Sequence, residues 1–118
     1  MDANSYESLD VWKRACALSV ALFECTQTCK DRSFSDQLVR SGLSVPSNIA
    51  EGYERDSSRE RVQFLKVAKG SCGELRTQLM IGIRAKLLPE TPARAYLKEA
   101  TELSKMLHGL LEHYRKQS

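Results

Sequence analysis

Apolar residues recur every three or four positions along nearly the whole chain, and no window sustains the two-residue alternation of a half-buried strand. The pattern predicts four helices. The first covers about residues 9–29, with Leu9, Trp12, Cys16 and Phe23 on one stripe and Val11, Ala15, Leu18, Leu22, Cys25 and Cys29 on the next. Two adjoining stripes form a broad apolar face, enough for more than one neighbour. The second helix, over 34–51, carries Phe34, Leu38, Gly42, Val45 and Ile49 on one line. Gly52 follows, where a residue without a Cβ can close a helix in the left-handed conformation.

Ser57 and Glu60 have the S-x-x-E spacing of a capping box and predict the start of a third helix over 58–86. Its seam is Leu65, Ala68, Cys72, Leu75 and Leu79. Pro89 and Pro92 interrupt the pattern, with Thr91 as N-cap and Pro92 at the first helical position of a fourth helix over 92–115. Leu97, Ala100, Leu103, Leu107, Leu110 and Tyr114 form that helix's seam. Connections this short favour antiparallel neighbours, so the expected fold is all-α: one up-down-up-down four-helix bundle spanning residues 1–118.

Pro46 breaks the rule that helix interiors avoid proline. Its ring presses on the carbonyl of Gly42, four residues back, so a kink is expected in the second helix. Gly42 relieves that pressure and leaves room for a neighbouring helix. Asn48, beside Ile49, is placed at the core edge, where its amide can bridge to another helix or to a freed carbonyl.

Composition adds little to this picture and excludes several alternatives. With 118 residues, 42% hydrophobic and 28% charged, the chain matches an ordinary globular domain that needs no staples. The polar opening, Met1 to Ser8, lacks the basic start and apolar run of a secretory signal, and no segment has the length of a membrane span. A cytoplasmic protein with no membrane contact is expected. The four cysteines form no C-x-x-C pair and are read as reduced, mostly buried thiols. Cys25 and Cys29, four apart, would make a metal site only with two further ligands. No metal and no other cofactor is expected.

The segment around Pro46 carries a family resemblance. Gln37-Leu38-Val39-Arg40, then Ser44-Val45-Pro46-Ser47-Asn48-Ile49-Ala50-Glu51-Gly52, then Arg55, Phe64, Leu65, Ala68, Gly70-Ser71, Glu74-Leu75 and Gln78-Leu79 resemble the 23S ribosomal RNA intervening-sequence proteins. Leu9, Val11, Trp12 and Ala15 match that family's opening, so the resemblance covers roughly residues 9–88. It implies a four-helix bundle that assembles into a ring-shaped homopentamer with a central channel. Related proteins include accessory proteins of diversity-generating retroelements, basic pentamers that associate with a reverse transcriptase and with nucleic acid. From the match, and from their polar character or special backbone within an apolar helix, Gln37, Arg40, Pro46, Asn48, Glu51 and Gly52 are the candidate self-association and structural motif.

Formal net charge is only +3, so binding to a polyanion requires the cations to cluster. Arg55, Arg59, Lys66, Lys69 and Arg76 fall on or near one flank of the third helix and are the candidate nucleic-acid contacts, with Arg84 and Lys86 extending the positive character. No aromatic residue interleaves with them to stack bases, so contact would be phosphate-directed and weakly sequence-selective. A helix-turn-helix over residues 37–70 is disfavoured by Pro46 and by the unbroken apolar spacing from Leu38 to Ile49.

Nothing here assembles a nucleophile, a base and an orienting group. His108 and His113 are five apart and read as surface residues, Glu51 and Glu74 lack an acidic neighbour, and Gly70 and Gly73 read as sites of close helix packing. The expected function is non-enzymatic: a homo-oligomeric scaffold whose basic surfaces contact RNA or DNA, alone or with a nucleic-acid enzyme such as a reverse transcriptase. The alternative is an adaptor that organises another polypeptide and binds no nucleic acid.

Overall fold

Leu65, Ala68, Cys72, Leu75 and Leu79 are all fully buried, and that seam places the third helix at the centre of the packing. In the computed structural model, which describes residues 5–117, four α-helices carry the fold: α1 (Asp10–Cys25), α2 (Arg32–Tyr53), α3 (Ser58–Arg84) and α4 (Glu90–Arg115). Short 3-10 turns at Tyr6–Ser8 and Thr26–Thr28 flank α1, and there is no strand among the described residues. At about 1.5 Å per residue, α3 extends roughly 40 Å, close to the 44 Å long axis of the molecule.

Each helix packs on its two neighbours around a closed circuit, α1 on α2, α2 on α3, α3 on α4 and α4 back on α1. Touching pairs fall in number on one helix as they rise on the next: Ser41 with Glu74 and Ser44 with Ser71 between α2 and α3, then Ser58 with Gln117 and Lys69 with His108 toward α4. Leu22, Leu38, Ile49, Leu65, Leu75, Leu79, Leu103 and Leu107 are among the large side chains sealed inside. Each contributes about 1.5–3 kcal/mol by leaving water.

Of the two stripes on α1, the one through Val11, Ala15, Leu18 and Leu22 enters the core. Leu9, Trp12 and Cys16 are half-buried at its edge, and Phe23 is 56% exposed. The helix also ends sooner than its periodicity predicts, at Cys25, because the chain tightens into the Thr26–Thr28 turn. Cys25 and Cys29 therefore do not share a helix face. On α4 the buried seam runs Ala93, Ala100, Leu103, Leu107 and Leu111, leaving Leu97, Leu110 and Tyr114 as its half-buried margin.

Further helix ends depart from expectation. Gly52 is not a left-handed terminator: α2 continues through it to Tyr53, and no glycine among the described residues has positive φ. Its role is close approach, since a Cβ there would lie 3.1 Å from Phe64 Cβ and 3.2 Å from the Arg61 carbonyl oxygen. The fourth helix begins at Glu90 with Pro89 as N-cap, two residues before the predicted Pro92 start. Pro92 then occupies the third helical position, where a missing N–H is still harmless because the first turn has no intrahelical acceptor for it. Finally, α3 stops at Arg84, two residues short, where Lys86 takes φ 59°. The Leu87 N–H donates to Gly82 O at 2.8 Å and the Lys86 N–H to Ile83 O at 3.2 Å. This is a Schellman closure with lysine at the position usually held by glycine.

Other local expectations hold. The Glu60 backbone N–H donates to Ser57 Oγ at 3.2 Å, as the capping box requires, whereas α2 starts at Arg32, two residues before the expected Phe34, because the Phe34 N–H donates to the N-cap Asp31 Oδ1 at 3.0 Å. Gly42 is a close-approach site, with a Cβ there meeting Leu22 Cδ1 at 2.6 Å. Gly82, which the periodicity does not single out, does the same under Leu88 and Phe34. Gly70 and Gly73 reverse the expectation of close packing: nothing lies within 4 Å of a Cβ at either. No helix is long and apolar enough to cross a membrane among the described residues.

Candidate nucleic-acid interface

The bare backbone at Gly70 and Gly73 opens a groove between α3 and α4. From α3, Lys66, Lys69 and Arg76 line it, spaced by three and seven residues so that they share one flank of the helix. From α4 come Lys105, His108 and Arg115 together with the hydroxyl-bearing Thr101 and Ser104. Among the described residues, none that lines the groove is acidic.

The groove's charges are unequally engaged. Lys69 Nζ lies 3.1 Å from His108 Nδ1 and so bridges the two helices. Arg115 is held by Glu112 at 2.7 Å, whereas Lys105 and Glu102 are 3.8 Å apart and both well exposed. Arg76 Nε is buried and has no hydrogen-bond acceptor. An unpaired buried donor costs about 1–3 kcal/mol.

Three of the five basic residues singled out in the sequence meet here, and two do not. Arg55 donates to Glu51 at 2.9 Å and lies 4.6 Å over the Phe64 ring, tying the end of α2 to α3. Arg59 is exposed in the first turn of α3, seven residues before Lys66, and does not line the groove. Conversely, sequence reasoning does not single out Lys105, His108 and Arg115, because their place opposite Lys69 depends on how α4 pairs with α3. The spacing of His108 and His113 correctly marks both as exposed, but not that His108 faces a lysine.

The motif residues on α2 form a second polar seam, toward α3. Asn48 Nδ2 donates to Ser44 O at 2.8 Å and to Ser44 Oγ at 2.9 Å, and Ser44 Oγ is 2.8 Å from Ser71 Oγ. The amide thus binds a carbonyl beside Pro46 and, through one hydroxyl, reaches the next helix. Ser41, itself buried, donates to Glu74 at 2.6 Å. Gln37 and Arg40 line a small cleft with Ser41, Glu74 and Gln78, and Gln78 Oε1 is buried there without a donor. Pro46 and Gly52 are buried within α2, and Glu51 holds Arg55.

Sequence reasoning also missed an aromatic clamp at one end of the bundle. The Arg61 guanidinium lies 4.4 Å from the Tyr53 ring and 4.9 Å from that of Tyr114, and the two tyrosine hydroxyls are 2.9 Å apart. Arg61 also donates to the carbonyls of Gly52 and Tyr53, the last of α2. Burial, then the hydrogen bond to Tyr114, raises the Tyr53 phenol above its usual range, while Arg61 opposes the shift.

The cysteines are all free thiols. Burial pushes the Cys72 thiol up to about 11, against a smaller lowering by Arg76, so it is not a thiolate near neutrality. Cys16 and Cys25 are also raised by burial. No cluster of three metal-ligating side chains occurs among the described residues.

The architecture has a solved counterpart. A protein of unknown function from the S23 ribosomal protein family of Bacteroides thetaiotaomicron VPI-5482, determined at 1.70 Å, superposes with a TM-score of 0.80 at 22% identity, over 86% of this chain and 97% of that one. No curated protein matches the sequence. The family model described as 23S rRNA-intervening sequence protein matches residues 7–109, which takes in all of α1, α2 and α3 and most of α4. On that match the chain belongs to the 23S rRNA-intervening sequence protein family.

Proposed function

We propose that this protein is a non-enzymatic, homo-oligomeric helical scaffold of the cytoplasm that holds the phosphates of RNA or DNA in the groove between α3 and α4. The supporting observation is the convergence of Lys66, Lys69, Arg76, Lys105 and His108 on one open, acid-free groove. Cations placed together in this way bind a polyanion by releasing its counterions, and the groove offers no aromatic face for reading bases. Assembly into a symmetric ring such as a pentamer repeats the groove around an axis and multiplies a field that a monomer of net charge +3 supplies weakly. A reverse transcriptase or another nucleic-acid enzyme is a fitting companion for such a scaffold.

Titration of the purified protein with labelled RNA and DNA across a range of salt concentrations tests this. With Lys66, Lys69, Arg76 and Lys105 each meeting one phosphate, log K against log salt should fall with a slope of about −3 on single strands. Absence of binding even at low salt would remove the basis of the reading.

A second reading, an adaptor for another polypeptide, draws on the exposed apolar residues of α1 and α2, Val20, Phe23 and Leu43. It predicts full function without nucleic-acid affinity.

A further inference from the structure

Lys69 Nζ lies 3.1 Å from His108 Nδ1 across the groove between α3 and α4. A lysine ammonium has three N–H donors and no acceptor, so in this bond the imidazole nitrogen must accept. It can do so only in the neutral ring whose proton sits on Nε2. Neutral His108 therefore holds Lys69 as a crossbar between the helices and occupies one of its donors. Protonation ends this arrangement, because both nitrogens of an imidazolium are donors and two positive charges would face one another at 3.1 Å.

The surroundings of His108 decide what its protonation does. On α3, Lys69 and Arg76 line the same stretch of groove, and Lys66 the adjoining one. On α4, Lys105 precedes His108 by three residues and Glu112 follows it by four, so both share its face. Glu112 is held by Arg115 at 2.7 Å. Thr101 and Ser104 are the neutral members of the lining. Helix α1 packs on the other side of α4, where Asp10 lines a cleft with Met106 and Arg14 pairs with Glu99. A phosphate held among the groove's cations favours a further positive charge beside it.

We propose that His108 is a proton-gated phosphate contact: nucleic acid entering the groove takes up a proton from solvent at His108 Nδ1, which releases Lys69 and adds the imidazolium to the cations on the phosphate backbone. By reciprocity, what phosphate does for protonation, protonation does for phosphate binding, so affinity rises as pH falls through the histidine range. The inference rests on the nucleic-acid reading of the groove and goes beyond it by making that binding sensitive to acidity. The chain has only two histidines, and the second, His113, does not line the groove. It stands beside Tyr114 and Gln117 near the end of α4, so the two can be told apart by substitution.

The test is titration calorimetry of the full chain with an oligouridine strand bearing hydroxyl ends, which has no terminal phosphate to titrate at about pH 6. Buffers of different ionisation enthalpy at about pH 7 count the protons taken up on binding, and salt series at about pH 8 and about pH 5.5 give the slope at each end of the histidine range. Wild type should take up protons and bind more tightly at the acid end. Its slope of log K against log salt should be steeper there by about 0.7, the share of one added cation on a single strand. His108→Gln keeps an acceptor for Lys69 but no titrating proton, and should lose both the uptake and the slope difference. His113→Gln should retain both. The two histidines are exposed, so circular dichroism should be unchanged in either variant. Binding by wild type without proton uptake, uptake that survives in His108→Gln, or uptake lost with His113→Gln would overturn the proposal and leave the groove's nucleic-acid binding standing. Absence of binding at either pH would overturn the reading beneath it, and the proposal with it.

Discussion

Tyr53, Arg61 and Tyr114 show how a few side chains fasten the ends of three helices. Arg61 of α3 satisfies two terminal carbonyls of α2 while its cation lies between two rings, and the tyrosine hydroxyls join α2 to α4. Tyr53→Phe removes one hydrogen bond and should cost about 1 kcal/mol near neutrality. The pH dependence follows from the raised Tyr53 phenol. A group whose folded-state pKa is raised contributes its full stabilisation below the unfolded value, about 10 for tyrosine, and loses it as pH climbs through the folded value. Melting curves of wild type and variant should therefore converge as pH rises above about 10. A constant gap through strongly alkaline pH would show that the Tyr53 hydroxyl does not titrate with folding.

Helix ends are where the elements depart from their sequence pattern, and the reason is physical. The three-four rhythm of Leu65 to Leu79 is imposed by burial and is fully legible, as are the capping box at Ser57 and the close approach at Gly42. Gly52 is ambiguous in the sequence because glycine serves both as a left-handed terminator and as a contact point. Only the presence of Phe64 and Arg61 against its backbone separates the two. The closing turn of α3 is illegible because Lys86 adopts a conformation that lysine disfavours, held by the two bonds back to Gly82 and Ile83. A non-glycine residue there costs about 1 kcal/mol or more. Lys86→Gly, offset in part by the greater freedom of the unfolded chain, should raise stability by about 0.5–1 kcal/mol. Denaturant titration with an unchanged m value would register the gain, and a loss would mean that the lysine side chain stabilises the turn.

For the whole molecule, net charge conceals how the charges are arranged. A balance of +3 is compatible with a cationic groove between α3 and α4 that no acid lines, because acids gather elsewhere, Glu60 and Glu74 on the opposite flank of α3, Glu51 in an ion pair with Arg55 just past α2, and Glu90 in one within α4. The cations of α3 are plain in the sequence but cannot be sorted there, since the sorting depends on which flank faces α4. That sorting makes a prediction that overall charge does not. Lys69→Glu with Arg76→Glu and Arg55→Glu with Arg59→Glu change the net charge equally. The groove pair should lower the salt slope of single-stranded RNA binding by about 1.4, about 0.7 for each phosphate left without its cation. The second pair should lower the slope by less, because neither Arg55 nor Arg59 lines the groove. Arg55→Glu also gives up the ion pair with Glu51 and the stacking over Phe64, so its helicity must be verified first. Equal slopes for the two variants would mean that nucleic acid responds to the protein's overall field and that the α3–α4 groove is not its seat.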